Sequence, residues 1–217
     1  GCNFANPAIT GRVFLLLSFA GDMTTWVKPF YYHGLSIGNQ LSSSAGSLDL
    51  DAVTSATPLV TGTESLSNLF LGNVGGCIGE TSALALLLGG LFLIFTRVIS
   101  PSTPIAYLGS LGILTFFHAL ATGGSLTEVP YALLSGGVMI GAFFMATDYV
   151  TTPITTKGKW IFGIGCGILT FVIREFASMP EGCSFSILLM NLLTPYIDKF
   201  TMTKPLGAKP IKKKEEA

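Results

Sequence analysis

Five long apolar stretches, separated by short polar segments, fill the part of the chain after residue 80. They cover residues 83–99, 105–121, 131–147, 160–176 and 185–197. A helix needs about 20 apolar residues to cross a bilayer, with a working range of about 17–25. The pattern therefore predicts five transmembrane helices. The final stretch is short and contains Pro195, so we expect a tilt, a kink, or flanking residues that extend that helix.

A sixth, partial apolar element runs from residue 7 to residue 19. Asn6 is a suitable N-cap, and Pro7 fits the first helical position, where its missing N–H costs nothing. The predicted fold class is all-α, a polytopic transmembrane helix bundle with five full spans and one partial N-terminal span. The matching division of the chain is a partial helix over 1–20, a long polar loop over 21–79, a five-helix bundle over 80–200 and a basic tail over 201–217.

The composition also indicates a membrane protein. Of the 217 residues, 49% are hydrophobic and 11% are charged, whereas soluble domains carry about 25% charged residues. The mean hydropathy is +0.63. A formal net charge of zero gives no support for binding to nucleic acid. The chain enters an apolar run without a basic n-region and a cleavage site, so we expect a fragment that lacks its upstream part and not a signal peptide.

Glycines recur at spacings that suit close packing of membrane helices. Small residues let two backbones approach where lipid supplies no hydrophobic driving force between helices. We interpret these glycines as packing positions in a compact bundle. They are Gly137 and Gly141, Gly163 and Gly167, and Gly109 and Gly112.

Basic residues indicate how the predicted spans are oriented. Lys157 and Lys159 lie between the third and fourth stretches, Arg97 ends the first, and residues 212–214 are all lysine. If the spans alternate, these cations share one side, which the positive-inside rule makes cytoplasmic. We therefore expect a cytoplasmic C-terminus and an extracytoplasmic loop over 21–79.

The four cysteines form neither a CxxC pair nor a Cys/His spacing typical of a metal site. We predict no metal site in this chain and regard the cysteines as small apolar core residues. A cluster that Cys2 or Cys77 shares with another subunit stays open as the alternative. The other two cysteines are Cys166 and Cys183.

A polar segment inside the long loop carries a candidate for covalent modification. It reads Asp51-Ala52-Val53-Thr54-Ser55-Ala56-Thr57 and is followed by Pro58. It resembles the flavinylation signature D-x-x-S/T-G/S-A-S/T, on which a flavin transferase joins the phosphate of FMN to the final hydroxyl. Thr57 supplies that hydroxyl. Small residues at positions 55 and 56 leave room for the flavin, and Pro58 keeps Thr57 extended.

Four further segments carry a resemblance to one membrane family. They are NPAITGRVF at 6–14, GETSALA at 79–85, ATDYVTTP at 146–153 and ILLMNLLTPYID at 187–198. They resemble, in order, elements of the family that contains the D subunit of the Rnf complex, the ion-translocating ferredoxin:NAD⁺ oxidoreductase. The related B subunit of the sodium-pumping NADH:quinone oxidoreductase shares much of the pattern. The resemblance extends to about residue 207, and Ser55 stands where glycine is frequent in the family.

The resemblance implies a cofactor, partners and a larger protein. It makes the chain the C-terminal two thirds of a two-repeat protein of ten helices, in the plasma membrane of a bacterium or archaeon. FMN would be esterified to Thr57, with Asp51, Thr54, Ser55 and Ala56 forming the recognition segment, and riboflavin would be a second, non-covalent flavin. Other Rnf-type membrane and cytoplasmic subunits, a flavin transferase, membrane lipid and Na⁺ or H⁺ would be the partners.

Four polar residues are candidates for a cation path, since ionisable groups are rare at membrane depth. Glu80 precedes the first full span, Asp148 and Asp198 lie at the predicted inner ends, and Asn191 shares a helical stripe with Thr194. The alternatives are ordinary solvated caps for the aspartates and a helix–helix hydrogen bond for Asn191.

Arg12 is the remaining candidate, because an arginine inside an apolar element is costly and usually paired. A flavin phosphate or ribityl chain, or an acid from the missing half, is the expected partner. Purely structural pairing is the alternative.

Two rival functions stay open at this point. One is the B-type subunit of the quinone-reducing relative, which would share the flavin and the topology. The other is a flavin-free channel or transporter half, because a bundle packed through glycines and a partial first helix would suit it equally well.

Overall fold

The computed structural model describes residues 5–24, 26–27, 54–55, 65–77, 80–177 and 182–202. These residues are helical apart from connecting turns and a pair of two-residue strands, so the predicted all-α class is confirmed. In chain order the elements are α1 (Pro7–Ser18), α2 (Ala20–Thr24), β1 (Trp26–Val27), β2 (Thr54–Ser55), α3 (Leu66–Leu71), α4 (Ala83–Phe95), α5 (Ser102–Thr122), α6 (Glu128–Leu134), α7 (Val138–Ile140) with the π-helical turn Gly141–Met145, α8 (Thr156–Phe176) and α9 (Cys183–Thr201).

Among the described residues, α5 and α8 are each long and apolar enough to cross a membrane, with 21 residues apiece. A third span results if α6 and the helix over 138–145 are counted together. Two further apolar helices, α1 and α4, have 12 and 13 residues. The count of five full spans therefore stays a prediction, while the multi-pass helical architecture agrees with the apolar pattern.

The third apolar stretch differs from the continuous helix that its periodicity predicts. It consists of α6 and the segment 138–145, which meet at an angle of 64°. The break falls at Ser135, Gly136 and Gly137, where Gly136 has a φ of 66°. Glycine adopts this left-handed conformation at no steric cost. Beyond the break the helix widens into a π-turn, closed by the bond from the Ala146 N–H to the Gly141 carbonyl at 2.7 Å.

The last helix is longer than its apolar core, as expected for a stretch that contains Pro195. It begins at Cys183 and ends at Thr201, a length of 19 residues. The flanking residues on both sides extend it, so Pro195 lies inside the helix. The first helix begins as predicted, since the Asn6 side chain accepts from the Ala8 N–H at 3.0 Å and Pro7 takes the first position.

The core lies where α5, α8, α9, the π-turn and α1 meet. Tyr107, Phe162 and Ile187 are fully buried there. Large apolar side chains on the outer faces of the helices remain exposed, for example Phe92, Phe117 and Phe176. In a chain of this hydropathy, such faces are typical of helices that contact lipid.

The glycines of α8 bring it against α5. A side chain at Gly163 would place its Cβ 2.7 Å from the Ala106 Cβ and 2.8 Å from the Thr103 carbonyl oxygen. Gly167 faces the Tyr107 carbonyl in the same way, at 2.8 Å. Gly109 differs, because a Cβ added at Gly109 would have no neighbouring atom within 4 Å. Packing is thus the role of the α8 pair, whereas Gly109 has no such contact.

Replacing Gly163 with alanine is expected to destabilise the subunit by about 1–2 kcal/mol, because the overlap with α5 outweighs the gain in helix propensity. Thermal unfolding in detergent measures this change. Gly109→Ala is the matched control, since it adds the same methyl group to α5 in open space. It should leave the unfolding temperature unchanged or slightly raised. Equal losses in both variants would contradict the packing role of Gly163.

Candidate functional site

A buried ion pair joins the first helix to the segment that precedes α4. The Arg12 Nη2 lies 3.9 Å from the Glu80 Oε2, with side-chain exposures of 22% and 6%. The same Nη2 donates to the Cys77 sulfur at 3.2 Å. Two candidates that the sequence assigned to different roles therefore meet in one cluster.

This pairing gives Arg12 one partner within the chain. The sequence predicted a flavin phosphate or ribityl chain, or an acid from the missing half, with structural pairing as the alternative, and the contact with a flavin stays a prediction. The structure supplies an acid, Glu80, from within the chain. Arg12 neutralises the carboxylate, so a cation could bind Glu80 strongly only where it displaces or shares the guanidinium.

Glu80 also borders the break in the third apolar stretch. Glu80 and Gly136 line one small cavity of about 10 Å³, which is close to the space that one water molecule needs. Interrupted helices beside a carboxylate are a common form of ion site within membranes. The geometry thus keeps Glu80 as a candidate for a cation path.

Arg174, from the last turn of α8, holds the broken helix. Its Nη1 donates to the Ala132 carbonyl at 2.7 Å, and its Nη2 donates to the Ser135 carbonyl at 3.1 Å. Helix α6 ends here, so these carbonyls lack the partners that a continuing helix would supply. A cation at a helix C-terminus is also favoured by the helix dipole. Sequence patterns gave Arg174 no role.

Replacing Arg174 with methionine is expected to destabilise the subunit by about 1–3 kcal/mol, because two carbonyls lose a charged donor. Arg174→Lys should give an intermediate loss, since one ammonium cannot reproduce the two-pronged contact. Thermal unfolding in detergent and amide hydrogen exchange over residues 135–140 measure the effect. Lys199→Met is the control, because Lys199 is also a basic residue in the last turn of its helix. Equal destabilisation in both would contradict the bracing role.

At the other end of α4, the two candidate aspartates belong to one loop assembly. The Asp148 Oδ2 accepts from the Thr151 hydroxyl at 2.9 Å. The Asp198 Oδ1 accepts from the Ile154 N–H at 3.1 Å. Both side chains are half-buried. Each carboxylate thus supports the segment 148–155 and keeps part of its surface open to solvent.

Asn191 and Thr194 fasten the same loop to α9. The Thr194 hydroxyl donates to the Thr151 carbonyl at 3.0 Å. With its amide oriented to satisfy its neighbours, Asn191 donates to the Thr151 carbonyl at 3.3 Å and accepts from the Asn6 N–H at 3.2 Å. The predicted stripe therefore exists, and Asn191 joins the start of α1 to the loop. This is the hydrogen-bonding role that the sequence left as the alternative.

A hydroxyl cluster in the core was missed by sequence reasoning. The Tyr107 hydroxyl lies 2.7 Å from the Thr170 Oγ1 and 3.4 Å from the Ser186 Oγ, and Thr170 and Ser186 are 2.7 Å apart. All three residues are fully buried. Their only signal in the sequence is a polar residue inside each of three apolar stretches. Mutual hydrogen bonding satisfies them, so they tie α5, α8 and α9 together.

The cysteines divide between two environments. Cys166 and Cys183 are buried in the core, as predicted. Cys77 is half-buried and accepts from Arg12, so it is not a core residue. Cys2 lies outside the described residues.

The candidate flavinylation segment is described only in part. Thr57, Asp51 and Ala56 lie outside the described residues. Thr54 and Ser55 form β2, which pairs antiparallel with β1 in the register Trp26 with Ser55. The backbone two residues before Thr57 is therefore extended. An extended conformation at Thr54 and Ser55 is compatible with the recognition segment that the sequence predicts.

A family model and individual relatives of known name both match this chain, and they indicate the same family. The model of the NQR2, RnfD, RnfE family matches residues 1–207. The chain is 45% identical to the D subunit of the Na(+)-translocating ferredoxin:NAD(+) oxidoreductase complex of Acetobacterium woodii, covering 100% of this chain and 63% of that protein. It is 42% identical to the D subunit of the proton-translocating ferredoxin:NAD(+) oxidoreductase complex of Clostridium ljungdahlii, covering 96% of this chain and 63% of that protein.

A third relative is the D subunit of the ion-translocating oxidoreductase complex of Stutzerimonas stutzeri. The identity is 39%, over 95% of this chain and 64% of that protein. The chain therefore spans less than two thirds of the length of these three relatives.

Proposed function

The chain belongs to the NQR2, RnfD, RnfE family, and from this premise we propose that it is a membrane electron-transfer subunit of an Rnf-type ferredoxin:NAD⁺ oxidoreductase. In this proposal Thr57 carries covalent FMN, and electron flow is coupled to the movement of Na⁺ or H⁺. The observation that carries the proposal is the match over residues 1–207, because the relatives it includes are subunits of ion-translocating oxidoreductase complexes.

The covalent site is proposed from the segment that precedes Pro58. Thr57 would hold the phosphate of FMN through its hydroxyl oxygen. Asp51, Thr54, Ser55 and Ala56 would form the surface that a flavin transferase recognises. FMN, when bound, supplies the redox chemistry, while the protein supplies position and electrostatics. The extended backbone of Thr54 and Ser55 supports a non-helical recognition segment. A second flavin, riboflavin, is part of the proposal without an assigned residue.

For the cation path, the geometry favours two places in the bundle. Glu80 stands beside the break in the third stretch, with Arg12 as its counter-ion. Asp148 and Asp198 stand at the loop assembly that Asn191 anchors. Half-buried carboxylates can exchange a protein partner for a passing cation more readily than fully buried ones, because the free-energy cost of desolvating the ions is smaller. Arg12 is proposed as the group that sets the charge of Glu80.

The orientation is proposed from the basic residues. Arg97, Lys157 and Lys159 would face the cytoplasm together with the tail, and the loop over 21–79 would face the opposite side. The membrane would be the plasma membrane of a bacterium or archaeon. The partners would be the other Rnf subunits, and the flavin transferase during maturation.

The proposal is tested by producing the subunit in cells that contain a flavin transferase. After denaturing electrophoresis, a yellow-green fluorescent band should coincide with the subunit, and its intact mass should exceed the sequence mass by one FMN-phosphoryl group. A dark, unmodified band would reject the covalent site and favour the flavin-free channel or transporter. Activity of the assembled complex with quinone, in place of ferredoxin and NAD⁺, would favour the B-type subunit.

A further inference from the structure

A cleft with basic and hydroxyl-bearing walls lies between the end of α4 and the start of α8. Its volume is about 460 Å³, within the range of about 300–1,000 Å³ typical of ligand sites. Arg97 and Lys159 line it together with the hydroxyls of Ser100, Thr147 and Thr152. Neither the proposed flavin site nor the proposed cation path uses these side chains, although Arg97 and Lys159 also contribute to the proposed orientation.

In the part of the chain that the structure describes, no acid neutralises the cations of the cleft. Within the described ranges, neither Arg97 nor Lys159 has a carboxylate within ion-pairing distance. The acid of the adjacent loop, Asp148, accepts instead from Thr151. The cleft therefore concentrates positive charge that a bound anion would balance.

Two helix ends add to this positive field. Helix α5 begins directly after Pro101, which lines the cleft, and α8 begins three residues before Lys159. Neither helix has an acidic residue in its first turn. Lysine near a helix N-terminus is unfavourable by itself, since both carry positive charge. The position of Lys159 is explained if an anion lies between Lys159 and the two helix N-termini.

Arg97 adopts a conformation that normally calls for glycine. Its φ is 58°, and among the described residues no other non-glycine residue has a positive φ. It ends α4 in a Schellman-type cap, with the Arg97 N–H bonded to the Ile94 carbonyl and the Val98 N–H to the Leu93 carbonyl, each at 3.0 Å. A left-handed residue with a side chain costs about 1–2 kcal/mol. Strain of this kind is typically retained where the side chain has a function.

The remaining walls indicate what kind of anion fits. Ile94 and Val98 give the cleft an apolar side, and Phe95, in the last turn of α4, is 84% exposed. The Tyr149 hydroxyl donates to the Val98 carbonyl and joins the two sides of the cleft. A ligand with a phosphate head and an attached hydrocarbon chain would satisfy both the cations and the apolar wall.

We propose that this cleft binds the phosphate headgroup of an anionic phospholipid, with Arg97 and Lys159 contacting the phosphate. The Ser100 hydroxyl would donate a further hydrogen bond to the headgroup, whereas the Thr147 and Thr152 hydroxyls already donate to the Phe143 and Asp148 carbonyls and form a polar wall. The acyl chains would lie along the exposed face of α4. The site rests on the cleft itself and does not depend on the flavin attached to Thr57.

The test uses the complete complex, delipidated in detergent and titrated with dioleoylphosphatidylglycerol while thermal unfolding is followed. The variants are Arg97→Gly, which keeps the cap and removes both strain and charge, and Lys159→Gln. The control is Lys157→Gln, which removes an equal charge from the first turn of α8 at a position that does not line the cleft. Parallel titrations use dioleoylphosphatidylcholine and inorganic phosphate.

Phosphatidylglycerol is expected to raise the unfolding temperature of the native complex and of Lys157→Gln. The half-saturating lipid concentration should rise about tenfold or more in Arg97→Gly and in Lys159→Gln, because each loses a charge-assisted contact to phosphate. Equal affinity in all four proteins would overturn the site. An equal response to phosphatidylcholine would show apolar packing alone. An equal response to inorganic phosphate would show an ion site and refute the lipid.

Discussion

Replacing Thr57 with valine is expected to abolish covalent flavin on the subunit. Valine has nearly the same shape as threonine but lacks the hydroxyl oxygen, so no phosphoester can form. The fluorescent band in a denaturing gel should disappear, and the intact mass should equal the sequence mass. Electron transfer by the assembled complex should fall to the background rate, because covalent attachment is the proposed means of holding this carrier.

Two controls separate the attachment site from general damage. Thr57→Ser keeps a hydroxyl at the same position and should retain at least part of the band. Thr61→Val removes a neighbouring hydroxyl from the same loop and should retain all of it. Membrane insertion is checked by the yield of the subunit after extraction. Full fluorescence in Thr57→Val would place the attachment on another residue.

Breaking the ion pair of Arg12 and Glu80 is expected to destabilise the bundle strongly. Arg12→Met removes the guanidinium from the Glu80 carboxylate, which is buried at 6% side-chain exposure. Removing one partner of a buried pair should cost roughly 2–4 kcal/mol, with the lower figure reflecting the partial exposure of Arg12. Thermal unfolding of the subunit in detergent measures the loss.

A double-mutant cycle isolates the interaction. In Arg12→Met combined with Glu80→Gln no unpaired charge remains, so the combined loss should be smaller than the sum by about 1–3 kcal/mol. Glu175→Gln provides the matched control. It also removes a carboxylate that lies near a basic side chain, His118, but the Glu175 side chain is 35% exposed, so its effect should stay within about 0.5 kcal/mol. Strict additivity of the Arg12 and Glu80 changes would contradict the pairing.

Single changes at Glu80 also test whether this residue belongs to the cation path. If Glu80 binds the coupled cation, Glu80→Gln should reduce ion transport by the complex more than it reduces stability. Glu80→Asp keeps the charge and should restore part of the transport. A purely structural pair would instead give stability and transport losses that run in parallel across these variants.

The sequence by itself determined the helical class, the start of α1 and the positions of the longest helices. These features depend on local chemistry, such as the cap of Asn6, the fixed φ of Pro7 and the length of an apolar run. The apolar stretches at 105–121 and 160–176 each predict a helix. The structure shows the first extended at both ends, to Ser102–Thr122, and the second extended at its start only, to Thr156–Phe176. The family was also recognisable, because short motifs keep their order along the chain.

Only the tertiary structure decided which polar residues meet. Arg12 and Cys77 are 65 positions apart, and no periodicity of either segment indicates their contact. The break at Ser135 to Gly137 is another example, since an apolar run of that length is read as one helix. A contact such as that of Arg174 with the Ala132 carbonyl depends on how two helices cross. Helix crossings are set by the packing of whole surfaces, which local sequence patterns do not encode.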